Sequence, residues 1–186
     1  RTRKNSVSRT IDIGSEKVIA ANIDLMLIVS ASASPEPKQG FIDRCLVVAY
    51  DQGIKPIIVM TKSDLADPSD FLSVYRPLEV ESFVLSRDSD LSAIQNTLRG
   101  KTSVLIGHSG VGKSTLVNNL SSDEKRSVGK VNVVTGRGRH TSSSAIAMQL
   151  PAGGWIIDTP GVRSFGLEHV EESRVIGAFP ELNRAI

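Results

Sequence analysis

The chain has 186 residues, 22 Lys and Arg against 20 Asp and Glu for a formal net charge of +2, and 40% hydrophobic residues, which is the make-up of one globular domain large enough to bury a core. So small a charge excludes non-specific coating of nucleic acid, and any contact with RNA or a membrane has to come from local clusters. The single cysteine, Cys45, excludes an internal disulfide and a cysteine zinc cage and points to a reducing compartment.

Apolar runs such as Leu25-Met26-Leu27-Ile28-Val29 fall well short of the ~18 residues of a membrane span, and no apolar signal core follows the basic start Arg1-Thr2-Arg3-Lys4. A cytoplasmic protein without a membrane partner is expected, and a first residue that is Arg rather than Met suggests a fragment of something longer.

Residues 1–16 are polar and basic with little periodicity and read as a linker, with Thr10 to Gly14 as the tail of a strand from an earlier module. From there short apolar runs alternate with helical patterns. Asp24–Ala31, Pro56–Met60, Val80–Leu85 and Ser103–Ile106 are predicted strands. Phe41–Tyr50, Ser69–Val74 and Asp90–Leu98 are predicted helices, the first and third stopped by Gly53 and Gly100. After a Gly, Ser, Arg and Thr-rich stretch, Ala145–Leu150 and Gly154–Ile157 are predicted as a hairpin through Pro151-Ala152-Gly153. This rhythm predicts an α/β fold with a mostly parallel sheet covered by helices, whose ligands sit beyond the carboxyl ends of the strands.

One such loop carries Gly107-His108-Ser109-Gly110-Val111-Gly112-Lys113-Ser114-Thr115, leading from a predicted strand into a helix. The spacing fits a phosphate-binding loop. Glycines let successive N–H groups face an anion, the helix aims its positive end at it, Lys113 neutralises the β and γ phosphates, and the Ser114 hydroxyl holds Mg²⁺. After another strand stands Thr61-Lys62-Ser63-Asp64, close to the Asn-Lys-x-Asp guanine motif. The Asp64 carboxylate can accept two parallel hydrogen bonds from guanine N1–H and the exocyclic amine, where adenine offers an acceptor. Thr61 in place of Asn is expected to weaken the bracing of neighbouring loops. Ser86-Arg87 stands where Ser-Ala is usual, and the Ser86 backbone N–H is the candidate contact to guanine O6.

Asp158-Thr159-Pro160-Gly161 follows Trp155-Ile156-Ile157, as in the second metal-side element of P-loop enzymes. Asp158 would hold Mg²⁺ through water, and the Gly161 N–H would sense the γ-phosphate. Between the two phosphate elements, Gly136 to Thr141 reads as a switch loop in which Thr141 also reaches the metal. His140 is the candidate to position water. The cofactor set is thus GTP or GDP with Mg²⁺. Cys45 and Trp155 read as packing residues.

The guanine motif precedes the phosphate loop, Asp64 coming 49 residues before Lys113, which is the reverse of ordinary GTPases. Circular permutation keeps the same sheet when the original termini lie close together. The predicted architecture is a circularly permuted, three-layer P-loop NTPase fold. In this order, and with Ile42-Asp43-Arg44, Gly138-Arg139-His140-Thr141 and the run from Asp158 to Leu167, the sequence resembles the ribosome small subunit-dependent GTPase A family, of RsgA/YjeQ type.

The resemblance runs from about Ala20 to Glu181. It implies GTP hydrolysis, Mg²⁺, and the small ribosomal subunit and its rRNA as partners. It also implies an N-terminal OB-fold, of which residues 1–16 are the linker or tail, and a GTPase domain over 17–176. A C-terminal zinc module would begin at 177–186, its zinc ligands lying outside the chain. A monomer is expected. Val162 stands where many GTPases place a water-orienting Gln, so intrinsic turnover should lie near ~10⁻⁴ to 10⁻³ s⁻¹ until a partner completes the site. Lys125, Arg126, Lys130, Arg137 and Arg139 are candidate phosphate contacts to RNA. A P-loop ATPase or kinase, and an RNA-binding switch with negligible hydrolysis, are the alternatives.

Overall fold

The computed structural model describes residues 2–12, 15–121 and 145–159. Its centre is a six-stranded sheet in the order β5-β4-β3-β6-β8-β7, formed by β3 (Leu25–Ala31), β4 (Lys55–Thr61), β5 (Glu81–Val84), β6 (Thr102–Ile106), β7 (Ile146–Gln149) and β8 (Trp155–Asp158). All neighbours are parallel except β7 and β8, which form the expected antiparallel pair with Gln149 opposite Trp155. β3 is buried at every position. A strand covered on both faces by helices has no polar side to show, which is why Leu25 to Val29 is an unbroken apolar run.

Helix α1 (Gln39–Asp51) buries Phe41, Ile42, Cys45, Leu46, Val48 and Ala49 against one face, where they meet Met26, Ile28, Ile58 and Met60. Spacings of three and four residues make that stripe. The helix stops at Gly53, held at φ +62°, where a side chain would be strained. Burial pushes the Cys45 thiol far up, so it is an inert core group, as expected. On the opposite face α3 (Ser92–Leu98) and α4 (Lys113–Ser121) place Ile94, Leu98, Leu116, Val117 and Leu120 over Leu27, Val29 and Leu105. A short helix α2 (Ser69–Ser73) and a 3-10 turn (Arg76–Leu78) lie between β4 and β5. The Tyr75 hydroxyl beside them donates to Asp43 of α1 at 3.0 Å.

The chain runs outward from β3 through β4 to β5, then returns to the other side of β3 with β6. The switch point therefore lies between β3 and β6, and a crevice opens there at their carboxyl ends.

The N-terminal segment departs from the linker expectation. β1 (Ser6–Asp12) and β2 (Ser15–Ala21) form an antiparallel pair that crosses the boundary expected between residues 16 and 17. Val7 and Ala20 are buried in the core cluster beneath α1. The Asn5 side chain completes the attachment: its amide donates to the Ile23 carbonyl at 2.9 Å, and its oxygen accepts the Ile23 N–H at 2.7 Å. Among the described side chains of this pair Val7 and Ala20 are buried in the core and Ile19 packs against it, too few for a period to show in the sequence. No helix among the described residues is long and apolar enough to cross a membrane.

Candidate functional site

The loop after β6 leaves the sheet in backbone contact with β3, since a Cβ on Gly107 would lie 2.3 Å from the Val29 carbonyl oxygen. Gly110 and Gly112 turn the chain at φ +81° and +91°. These are angles at which other residues are strained. Lys113 opens α4 and is nearly buried, its ammonium donating to the carbonyls of Gly107 at 2.6 Å and His108 at 2.9 Å. Burial draws the Lys113 pKa below its ordinary value, and the Asp158 charge opposes the shift. Ser114 and Thr115 stand exposed on the first turn of the helix. This end of α4 carries no acidic residue, so its positive dipole is left for an anion.

Asp158 ends β8 across from the loop. One of its carboxylate oxygens, Oδ1, is buried and has no hydrogen-bond partner among the described residues. Burial raises its pKa, while Lys113 and the Thr159 N–H pull it down. The buried Thr159 hydroxyl donates to the Leu105 carbonyl at 2.5 Å and fixes the start of the Asp-Thr-Pro-Gly element against β6. A phosphate chain with a divalent cation fits these groups. Lys113 supplies charge, Ser114 a hydroxyl, and the orphaned Asp158 oxygen an acceptor for a water on the metal.

Metal-free, the Asp158 charge is a burden to the fold. A carboxyl whose folded pKa is raised adds stability below its unfolded pKa and loses it as pH rises through the folded value. Asp158→Asn should therefore melt above the parent at pH 7 without nucleotide or Mg²⁺, and the gap should close as pH falls toward the ordinary carboxylate range. Thermal melts across pH, with chelator present, check this. A variant that melts lower at pH 7 contradicts it.

The base-side loop joins the same crevice. Ser109, Gly110, Gly112, Lys113, Ser114, Thr115 and Asp158 line a cleft of about 470 Å³ together with Lys62, within the range of small-molecule sites. Lys62 adopts φ +56°, and its ammonium donates to the Ser34 carbonyl. Asp64 lies two residues on, exposed in a turn closed by Leu65 N–H to Lys62 O at 2.9 Å. Ser63 N–H donates to Leu85 O at 3.1 Å, which sets this turn beside Ser86. The Ser86 N–H is already engaged by the Ser89 hydroxyl at 2.7 Å. Neither Asp64 nor Ser86 lines the cleft itself.

Thr61 behaves otherwise than expected from its replacing Asn. Its buried hydroxyl donates to the Val111 carbonyl at 2.6 Å and lies 3.2 Å from Ser30 O, so the end of β4 is pinned directly to the phosphate loop. A hydroxyl suffices because Gly112 lets the loop approach: a Cβ there would come within 3.5 Å of Thr61 Oγ1. Thr61→Val keeps the shape and leaves a buried carbonyl unpaired. It should cost about 1–3 kcal/mol in denaturant unfolding, whereas Thr61→Ser, which keeps the hydroxyl, should retain most of the parent's stability. Parent-like stability in the valine variant would show that the link carries no weight.

Two features escaped the sequence. The segment after β3 supports residues that line the crevice, with Ser34 receiving Lys62 and Pro35 facing Gly110. Its prolines at a switch-point strand end were the available signal. His108 packs against Phe41 with ring centroids 4.3 Å apart and the planes tilted by 43°. Burial, then Lys38, Lys113 and Arg44, hold its imidazole below the usual histidine range. His140, Thr141, Gly161 and Val162, like the basic run from Lys125 to Arg139, lie outside the described residues.

A parallel sheet with a glycine-turned loop, a helix-opening lysine and a strand-end aspartate in one crevice defines a P-loop nucleotide-binding domain, with the guanine-type loop placed ahead of the phosphate loop in the chain. The family model described as RsgA GTPase matches residues 1–168, and the chain belongs to that family. It is 40% identical over 192 residues to the small ribosomal subunit biogenesis GTPase RsgA of Pseudomonas syringae pv. syringae (strain B728a), a match covering 99% of this chain and 56% of that protein. The homologue from Pseudomonas aeruginosa (strain LESB58) is 40% identical over 187 residues, 96% of this chain and 55% of its own. The chain thus spans little more than half the length of these curated relatives.

Among solved structures, YjeQ from Thermotoga maritima superposes with a TM-score of 0.69 at 26% identity, covering 97% of this chain and 60% of that one. YloQ, described as a circularly permuted GTPase, gives 0.70 at 25% identity, covering 99% and 57%. The permuted order read from the motifs is the fold of these neighbours.

Proposed function

We propose that this chain is the GTP-binding and GTP-hydrolysing part of a factor acting in biogenesis of the small ribosomal subunit, the role named for its relatives. The observation that carries the proposal is the shared crevice: Lys62 of the Thr61-to-Asp64 loop and Lys113 of the phosphate loop line one cleft although the chain visits them in reversed order. Asp64 reads guanine and Lys62 flanks the base. Amides of Ser109 to Ser114 and the Lys113 ammonium grip the phosphates. Ser114 and Asp158, with Thr141, would hold Mg²⁺, which would supply positive charge to the phosphates. Gly161 senses the γ-phosphate and His140 orients the attacking water.

The whole protein, on this proposal, carries the GTPase domain up to residue 176 with the β1–β2 pair packed on its core, an OB-fold on its N-terminal side and a zinc module after it. It works as a cytoplasmic monomer contacting rRNA. Turnover by the isolated domain is slow, and the small subunit accelerates it. The test is direct. GTP should outcompete ATP by orders of magnitude in a binding assay, and purified small subunits should raise phosphate release severalfold or more from the full-length protein. Equal competition by ATP, or turnover indifferent to small subunits, would overturn the corresponding half of the proposal.

A further inference from the structure

His108 follows Gly107 in the phosphate loop, yet it does not line the cleft. Its imidazole packs on Phe41 in the first turn of α1, and its Nε2 is buried with no hydrogen-bond partner among the described residues. Three cations bear on this ring: Lys38 at the N-cap of α1, Lys113 at the start of α4, and Arg44 in the second turn of α1. A Cβ on Gly40 would meet Arg44 Nη1 at 3.6 Å, so that guanidinium lies back over the turn that carries Phe41. The carboxylates of these elements are turned to other partners. Asp43 accepts from the Tyr75 hydroxyl at 3.0 Å, Asp51 at the far end of α1 accepts from the Gln52 amide at 2.8 Å, and α4 carries none. Glu36 stands exposed in the segment before α1, and the Asp158 charge acts on Lys113.

In the empty loop these surroundings keep the ring neutral, burial first and the three cations after it. An anion in the loop changes them through Lys113. That ammonium donates to the His108 carbonyl at 2.9 Å and to the Gly107 carbonyl at 2.6 Å, which places it one residue's backbone from the imidazole. Phosphates draw the ammonium off these carbonyls and offset its field, and they add negative charge of their own beside the ring. Phe41 is already in position to hold a charged imidazole. Its ring centroid is 4.3 Å away with the planes tilted by 43°, inside the ~6 Å at which an aromatic face attracts a cation.

We propose that His108 takes up a proton from solvent when phosphates occupy the loop, with Phe41 holding the charged ring, so that nucleotide binds more tightly as the solution is acidified. The inference rests on the proposed function for the identity of the ligand. Its direction follows from linkage: a group that binds its proton more strongly in the complex favours the complex at low pH. The gain begins as pH falls through the midpoint of the bound state and levels off below the midpoint of the empty one. The terminal phosphate of the nucleotide titrates in the same range with the opposite effect, because a cationic loop favours its more charged form. Comparison with a variant lacking the imidazole separates the two.

The test uses the full chain with GDP as the probe. Proton NMR of the His108 ring, identified by its Overhauser contact to Phe41, is followed from about pH 5 to 8 with and without saturating GDP. Its midpoint should move up when GDP is bound. Calorimetry in two buffers of different ionisation heat should show more proton uptake per GDP in the parent than in His108→Gln. Between about pH 8 and 6 the parent should gain up to about tenfold in GDP affinity beyond the change seen in His108→Gln, tenfold being the effect of one pH unit in the midpoint. Phe41→Leu, which keeps an apolar side chain and removes the aromatic face, should reduce the gain. A His108 midpoint unmoved by bound GDP, or equal proton uptake and pH dependence in His108→Gln, overturns the proposal. The NMR titration needs the parent alone, so it decides even if a variant fails to fold. Absence of GDP binding is seen separately in the heats and overturns the proposed function along with this inference, whereas GDP bound with an unmoved His108 overturns this inference only.

Discussion

Lys113→Ala is expected to weaken GTP and GDP binding by about 10²- to 10⁴-fold, the loss of two charge-assisted hydrogen bonds at about 1.5–3 kcal/mol each. The geometry explains why the loss should fall on affinity. Without nucleotide the ammonium donates to the Gly107 and His108 carbonyls inside its own loop, and burial disfavours its charge. A triphosphate offers denser negative charge at the same place. The alanine variant also leaves those two carbonyls without their donor, so the melting temperature of the empty protein should fall slightly. Titration calorimetry beside a thermal melt separates the two effects. Affinity within about fivefold of the parent in a folded variant would mean that the loop does not hold phosphate.

Much of this site was legible because its chemistry is written in consecutive residues. A phosphate loop has to place glycines, a lysine and a hydroxyl at fixed offsets between a strand and a helix, so Gly107 to Thr115 announced both the ligand class and the local fold. The buried strands were legible for a related reason: β3, β4 and β6 are covered on both faces and read as apolar runs, and the glycines at 53 and 100 marked helix ends that the structure places at φ +62° and +70°. What stayed hidden depends on long-range contact. Asn5 holding Ile23 across 18 residues, and the Thr61 hydroxyl reaching Val111 across 50, leave no periodic trace. Trp155 misled because size and hydrophobicity suggest core, whereas its exposure is set by where α1 happens to lie on the sheet.

Base identity rests on a single carboxylate, and Asp64→Asn should shift the preference from GTP toward XTP. The amide keeps one acceptor and replaces the other with a donor. Guanine then meets it with one hydrogen bond lost and two donor groups opposed, a loss of about 10²- to 10⁴-fold. Xanthine carries a carbonyl where guanine has its amine, and that oxygen can accept from the new amide, so XTP should gain affinity as GTP declines. The position favours a clean result. Asp64 is exposed, its turn is closed by backbone bonds from Leu65 to Lys62 and from Ser63 to Leu85, and neither bond depends on the side chain. Stability should stay within about 0.5 kcal/mol of the parent, as for other surface changes. Competition of GTP, XTP and ATP for one fluorescent diphosphate probe reads the switch in a single experiment. If Asp64→Asn retains GTP and rejects XTP, the base is read elsewhere, and the exposed turn after Lys62 is only the neighbour of the nucleotide cleft.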